Sequence, residues 1–276
     1  MKRDDLIKQV INGNKARKLH HLMQTPPEDH RRVLSHGGNQ SNAMNALALL
    51  CAWKKWQFLY YTKPIPDYLR QNPSGNLASA LQTGMKVVET TQSHSEISRE
   101  LSAISNDDPH ECYVPMGGQS PLAAEGIKIL AEEIREFIDE HKIKNLSVIL
   151  SSGTGTTALY LAHYLPECTV LTVPCVGDGR YLQEQMKSLS PRLPRNLSII
   201  ESRQKYRFAH PYPGFLETWR ELCDAGIEFD LLYDTKMWHI FKNEPALLPP
   251  GEVMVVHSGG TEGNPSQLAR YRRAGV

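Results

Sequence analysis

Two consecutive stretches, "LSVILSSGTGTTALYLAHYL" (146–165) and "TVLTVPCVGDGRYLQEQM" (169–186), each read as a buried apolar strand, a glycine turn and a helix. Strands separated by helices cannot close tight hairpins, so they pair side by side in a parallel sheet with the helices packed outside. The same order recurs at "RRVLSHGGNQSNAMNALALLCAWKKW" (31–56), where a short strand and a glycine turn precede a helix whose Ala46, Leu47, Leu50 and Cys51 make one apolar face. "QFLYYTK", "MKVVETT", "LSIIES" and "EVMVVHSGG" supply further strands, whereas the segment ending "CYVPMGGQSP" reads as a loop. An early helix begins near Asn14, carries Leu19 and Leu22, and stops at Pro26 and Pro27. "AEGIKILAEEIREFIDEHKI" is an amphipathic helix with Ile127, Leu130, Ile134, Phe137 and Ile138 on one side, and "GFLETWRELCDAG" is a helix ended by Gly226. The expected fold class is α/β: two three-layer α/β/α lobes with mostly parallel sheets and a ligand crevice between them, at the carboxyl ends of strands.

The charge balance narrows the partners. Thirty-one Lys and Arg stand against 30 Asp and Glu, a formal net charge of +1, so nothing marks a nucleic-acid or anionic-membrane surface. The five cysteines are odd in number and contain no Cys-x-x-Cys pair, which argues for a reducing compartment and against zinc or a disulfide framework. The start "MKRDDLIKQV" is charged where a signal peptide is apolar, and no apolar run approaches the roughly 20 residues of a membrane span. These features imply a cytoplasmic protein that handles a small molecule and holds no metal.

Ser151 to Thr157, "SSGTGTT", joins a strand to a helix and exposes backbone N–H groups and hydroxyls at a helix N-terminus, an arrangement suited to a phosphate. Gly153-x-Gly155-x-x-Ala158 also fits the loose dinucleotide fingerprint, with Asp178 about 20 residues on. A nicotinamide-dependent oxidoreductase is therefore one alternative. The Walker pattern is absent, since no Lys-Ser or Lys-Thr follows the glycines. Lys15, in "INGNKARKLHHL", is a candidate imine-forming lysine for a carbonyl cofactor whose phosphate tail the glycine loop would hold. Ser41 and Asn42, at the start of the second helix, can present side chains and free N–H groups to a phenolic oxygen or a carboxylate.

Taken in order, "KRDDL", "GNKARKL", "GGNQSNAMNALA", "VPMGGQSPLAAEG", "SSGTGTTALYLA", "DLLYDTKM" and "HSGG" resemble the 1-aminocyclopropane-1-carboxylate deaminase / D-cysteine desulfhydrase family, pyridoxal-phosphate enzymes of the tryptophan-synthase-β fold, fold type II. The resemblance runs from Lys2 to about Gly260. It implies that Lys15 bears pyridoxal 5'-phosphate, that Asn42 contacts its phenolic oxygen, that Ser41 faces the substrate, and that Gly153, Thr154, Gly155, Thr156 and Thr157 hold the phosphate. Tyr233 matches an active-site tyrosine, and Asp234 occupies the place of the residue that meets the pyridine nitrogen, where a carboxylate keeps that nitrogen protonated. The implied lobes are 1–33 with 126–276, which binds the cofactor, and 34–125, which is smaller. A homodimer is implied as well.

The implied activity is β-elimination from a small amino acid, as in D-cysteine desulfhydrase, or opening of a cyclopropane ring, with release of a 2-oxo acid and ammonia. A chain that holds pyridoxal phosphate with little turnover is a further alternative. Two departures bear on this choice. "FAHPYPG" puts Phe208 where the family has a second tyrosine, with Tyr206 and Tyr212 as nearby substitutes, and the family's residues ahead of "KRDDL", including a strand, have no counterpart, which predicts an uncovered sheet edge.

Overall fold

The structure is a computed structural model that describes every residue except Lys8. Nine strands are seen among the described residues: β1 (Lys2–Arg3), β2 (Arg32–His36), β3 (Gln57–Thr62), β4 (Lys86–Glu89), β5 (Glu111–Val114), β6 (Leu146–Ser152), β7 (Thr169–Pro174), β8 (Leu197–Ile199) and β9 (Glu252–His257). They form two sheets, ordered β1-β9-β6-β7-β8 and β4-β3-β2-β5, and every pairing among the described residues is parallel. The helices in chain order are α1 (Gly13–Lys18), α2 (His20–Gln24), α3 (Asn42–Lys54), α4 (Asp67–Gln71), α5 (Gly75–Gln82), α6 (His94–Asp107), α7 (Ala123–His141), α8 (Thr156–Tyr164), α9 (Gly179–Lys187), α10 (Pro213–Asp224), α11 (Asp234–Asn243) and α12 (Asn264–Arg273).

Alternation along the strands builds three layers in each half. In β6, Val148 and Leu150 face the cluster under α7, α8 and α9, while Ile149 between them faces Met237, Ile240 and Phe241 of α11. In β2, Val33 packs under α3 and α5, and its neighbour Leu34 packs on Ile97 and Leu101 of α6. The expected apolar face of α3 is buried at Ala46, Leu47, Leu50 and Cys51. In α7, Ile127, Leu130 and Ile134 are buried and Ile138 packs partly buried on the same cluster, but Phe137 is 39 % exposed and stacks on His141 at 4.1 Å.

Residues 111–114, expected as loop, form the edge strand β5, which pairs with β2 from Arg32↔Glu111 to Ser35↔Val114. Tyr113 and Val114 favour an extended strand, and its place is fixed by β2 and by Glu111, which accepts from Arg31 at 2.9 Å and from Arg32 at 2.7 Å. The edge of the larger sheet is the short, charged strand β1, a composition that discourages edge-to-edge pairing.

Helix α1 is six residues long, too short to persist by its own hydrogen bonds. It is held by Arg17, which is buried and makes two forks: Nε and Nη2 donate to Asp4 at 3.0 and 2.9 Å, and Nη1 and Nη2 donate to Glu133 of α7 at 2.9 and 2.6 Å. Gly126 of α7 completes the fit, since a Cβ there would lie 2.0 Å from the Arg17 carbonyl oxygen. Arg17→Ala leaves Asp4 buried with the guanidinium gone, and should lower unfolding free energy by about 3–5 kcal/mol in a urea titration; a loss under about 1 kcal/mol would show the forks to be dispensable.

Candidate active site

Gly13 begins α1 with φ +61°, and a Cβ at that position would sit 2.1 Å from the Ser258 carbonyl oxygen. The N–H of Asn14 donates to that same oxygen at 3.0 Å. The Asn-Gly turn therefore presses α1 onto the end of β9, in a left-handed backbone state that glycine adopts without strain. With Arg17 turned towards α7, Lys15 and Lys18 face the other way and line a cavity of about 470 Å³. The Lys15 ammonium donates to Asn14 Oδ1 at 2.7 Å. Burial lowers its pKa to about 8, against the opposing pull of Asp230 and Asp234.

Across the cavity stands the glycine loop. Among the described residues, the N–H groups of Thr154 to Thr157 donate to no protein oxygen, and α8 has no side-chain cap. The Thr157 hydroxyl is buried without a partner. Lys18 Nζ donates to Thr154 Oγ1 and to the Gly117 carbonyl, both at 3.1 Å. Burial, and then the charge of Lys15, hold the Lys18 ammonium well below its ordinary pKa. Gly153 and Thr154 line the cavity, whereas Gly155, at φ +73°, faces Met186 and Leu182, so its missing side chain serves the turn and the packing of α9. Asp178, the acid of the dinucleotide alternative, caps α9 by accepting from the Tyr181 N–H at 2.9 Å.

Two carboxylates answer the lysines. Asp230 lines the cavity; its Oδ1 accepts the N–H groups of Leu232 at 2.8 Å and Tyr233 at 2.5 Å, and its Oδ2 accepts from Asn42 Nδ2 at 3.1 Å. Burial raises its pKa to about 6 despite these bonds. Asp234 lies one layer behind the wall. It accepts the Ser151 hydroxyl, and the Ser258 N–H at 3.1 Å, and burial raises its pKa to about 7. Both serines line the cavity, and the Ser258 hydroxyl is buried and unpartnered. His257, fully buried, accepts the Gly259 N–H on Nδ1 at 3.1 Å, so its Nε2 carries the proton donated to the Glu228 carbonyl at 2.8 Å.

From the smaller sheet come Ser41 and Asn42. Ser41 caps α3, its Oγ accepting the N–H groups of Ala43 and Met44 at 3.2 and 3.3 Å. Asn42 accepts Asn76 Nδ2 at 2.6 Å while donating to Asp230, and so ties α3 to the segment that carries Tyr233. The Tyr233 ring lies over Gly153, where a Cβ would come within 3.3 Å of Cε1. Phe208 lines the cavity too, its ring centroid 5.7 Å from that of Tyr233. Tyr206 and Tyr212 do not take its place: Tyr206 donates to Gln204 Oε1 and the Tyr212 hydroxyl accepts the Arg207 N–H, both within a separate aromatic cluster. The other tyrosine on the wall is Tyr181.

Of the expected site residues, Lys15, Ser41, Asn42, Gly153, Thr154 and Tyr233 line one cavity; Thr156, Thr157 and Asp234 stand just behind its wall. Sequence reasoning missed Lys18, Asp230 and Ser258, and read Ser151 as part of the phosphate loop, whereas its hydroxyl is held by Asp234. Lys18 follows Lys15 by one helical turn, a spacing legible in "NKARK", and Asp230 lies within "DLLYDTKM".

No family model matches the chain. A Thermotoga maritima protein provisionally named a 1-aminocyclopropane-1-carboxylate deaminase is 26% identical over 297 residues, covering 98% of this chain and 91% of that one. A rice (Oryza sativa subsp. japonica) protein provisionally named mitochondrial D-cysteine desulfhydrase 2 is 30% identical over 324 residues, covering 98% and 79%. The chain belongs to the 1-aminocyclopropane-1-carboxylate deaminase / D-cysteine desulfhydrase family. The crystal structure of a 1-aminocyclopropane-1-carboxylate deaminase homologue matches the fold with a TM-score of 0.77 at 18% identity, covering 97% of this chain and 87% of that one. Threonine deaminase isoform 2 of Solanum lycopersicum matches at 0.62 and 13%, covering 99% and 81%. The family is pyridoxal-phosphate-dependent and has the type II fold.

The residues present fit that cofactor. The unpartnered Thr157 hydroxyl and the free N–H groups at α8 suit a phosphate, and Lys15 supplies an amine that burial brings towards neutrality near physiological pH. In the cofactor-free protein the Lys15 amine is protonated and unreactive below about pH 8 and free above it. Reductive methylation with formaldehyde and cyanoborohydride, followed residue by residue by mass spectrometry, should therefore give a Lys15 rate that rises with a midpoint near pH 8. A midpoint at the ordinary lysine value of 10.5 would contradict the site's electrostatics.

Proposed function

We propose that this chain is a pyridoxal-phosphate-dependent lyase that takes a small amino acid to a 2-oxo acid and ammonia, by β-elimination of the D-cysteine desulfhydrase kind or ring opening of the 1-aminocyclopropane-1-carboxylate deaminase kind. The observation that carries it is one cavity holding Lys15, its amine pKa lowered to about 8, beside a helix N-terminus whose donors have no protein acceptor. In this reading Lys15 would hold the cofactor's carbonyl end, and Lys18, Thr157 and the N–H groups of Thr154 to Thr157 its phosphate. Asn42 would meet the phenolic oxygen with the amide N–H that Asp230 leaves free. Ser151, donating to Asp234, keeps lone pairs to accept an N–H from the cavity, and the buried negative charge behind it favours a protonated ring nitrogen. Bound pyridoxal phosphate supplies the electron sink for bond breaking next to the amino carbon.

The chain's own side chains do the rest. The Ser41 hydroxyl, whose oxygen caps α3 beside Tyr60, lines the cavity, so it and the start of α3 can hold the substrate carboxylate. Lys15 Nζ, once free, takes the proton from the substrate's Cα or Cβ, because its lowered pKa leaves a useful fraction unprotonated at neutral pH. Burial and the nearby Asp230 push the Tyr233 phenol far above its ordinary pKa, which keeps it a proton donor rather than a phenolate. We assign cofactor binding to residues 1–33 with 126–276 and substrate closure to 34–125, and place the protein in the cytoplasm, in keeping with its unpaired cysteines.

The test is 2-oxo acid release by the cofactor-loaded protein from D-cysteine, L-cysteine, D-serine and 1-aminocyclopropane-1-carboxylate. At least one should turn over, and Lys15→Ala should lower kcat by about a thousandfold or more, as expected for loss of both attachment and proton transfer. Release from none, with the lysine-bound visible absorbance present, would favour a chain that holds the cofactor without turnover.

A further inference from the structure

The cations around the cavity are not all used by the scheme above. Lys18 faces the glycine loop, Lys15 lies between Asp230 and Asp234, and the substrate's own carboxylate belongs to the start of α3. Arg270 is left. It lines the same cavity, donates through Nη1 to the Ala209 carbonyl at 2.6 Å, and takes part in no ion pair among the described residues. A guanidinium has five N–H donors, so most of its donor capacity remains. One turn earlier on α12 stands Gln267, more than nine-tenths buried, lining the same cavity and without a side-chain hydrogen bond among the described residues. Side chains three apart share a helix face, so the amide and the guanidinium border one part of the wall.

Neither residue is there by default. The Gln267 amide opens onto the cavity and makes no hydrogen bond within the protein among the described residues, so its donors and its acceptor are available to a ligand. The neighbouring stripe of α12 is fixed by Tyr271, buried against Leu216 and Leu231, and by Asn264, whose side chain holds the Leu231 N–H at 2.8 Å and the Phe229 carbonyl at 2.9 Å. The helix is thus rigidly joined to the segment that carries Asp230 and Tyr233. Ala209, in a left-handed conformation at φ +57°, turns its carbonyl to Arg270 and sets Phe208 beside the same part of the cavity.

We propose that the substrate of this site is an amino acid with a second anionic group, a sulfonate, phosphate or carboxylate, at or beyond Cβ, recognised by Arg270 and Gln267. The inference rests on the lyase reading above and sharpens its substrate class. Where the anionic group is the leaving group, the Cβ–X bond breaks and X departs with the bonding pair. The Cα proton goes to Lys15, and one water hydrolyses the enamine product to the 2-oxo acid and ammonia.

The test compares matched amino acids on the cofactor-loaded protein: O-phosphoserine and cysteate against serine and cysteine, in both configurations, with aspartate against alanine as inhibitors. In the accepted configuration, KM should be about tenfold or more lower for the anionic substrates, and aspartate should inhibit more strongly than alanine. Arg270→Gln should remove that advantage while leaving KM for the neutral substrates within about threefold, and Arg270→Lys should restore part of it. Equal KM values for the two classes, or an Arg270→Gln change that raises both alike, would overturn the proposal and leave Arg270 as a strut for the Ala209 loop. If no amino acid of either class perturbs the cofactor's absorbance or releases a 2-oxo acid, the lyase reading itself fails, and the proposal with it. The comparison within the unmodified protein stands even where a variant does not fold.

Discussion

The arginine at position 17 is the joint on which the site hangs. Its two forks, to Asp4 at one end of the chain and to Glu133 on α7, fix the rotation of a helix with too few residues to fix itself. A helix puts residues two apart on opposite sides and residues three apart on the same side, so anchoring Arg17 outward turns both Lys15 and Lys18 inward. Gly13 against Ser258, and Gly126 against the Arg17 carbonyl, then set how closely that helix approaches the sheet and α7.

Once two lysines are buried side by side, the rest of the cavity has to compensate them. Burial depresses both ammonium groups, and the charge of Lys15 depresses Lys18 further. Asp230 and Asp234 offset part of this, but burial also raises their pKa values, to about 6 and about 7. Lys15, Asp230 and Asp234 are therefore balanced near neutrality, where a lysine can both accept and return a proton. An anion beside Lys18 would offset its burial, and the adjoining N–H groups of the glycine loop are placed to hold one.

Much of this was legible in the chain. The alternation of strand, glycine turn and helix fixes a parallel α/β fold, and both glycine stretches sit at the carboxyl ends of strands as that fold requires. The glycine loop and the Ser41–Asn42 turn stood out by their local patterns, and Lys15 through the anion loop, cap and carboxylate elsewhere in the chain that an imine-forming lysine needs. What stayed hidden depends on contacts between distant segments. β5 exists because β2 pairs with it, and α12, in the polar tail beyond the last strand, shows its purpose only where Tyr271 and Asn264 dock it beside Asp230. Asp230 carries no signal of its own in "DLLYDTKM"; only the fold brings Asn42, 188 positions away, to its carboxylate. Ser41, expected to face the substrate, lines the cavity and at the same time caps α3.

The central claim is that Lys15, of the two lysines of α1, is the one presented for covalent chemistry. Borohydride reduction of the protein loaded with pyridoxal phosphate, followed by peptide mapping, tests it directly. The account predicts one stoichiometric pyridoxyl adduct, on Lys15. An adduct on Lys18 or any other lysine, or none at all after loading, would contradict it.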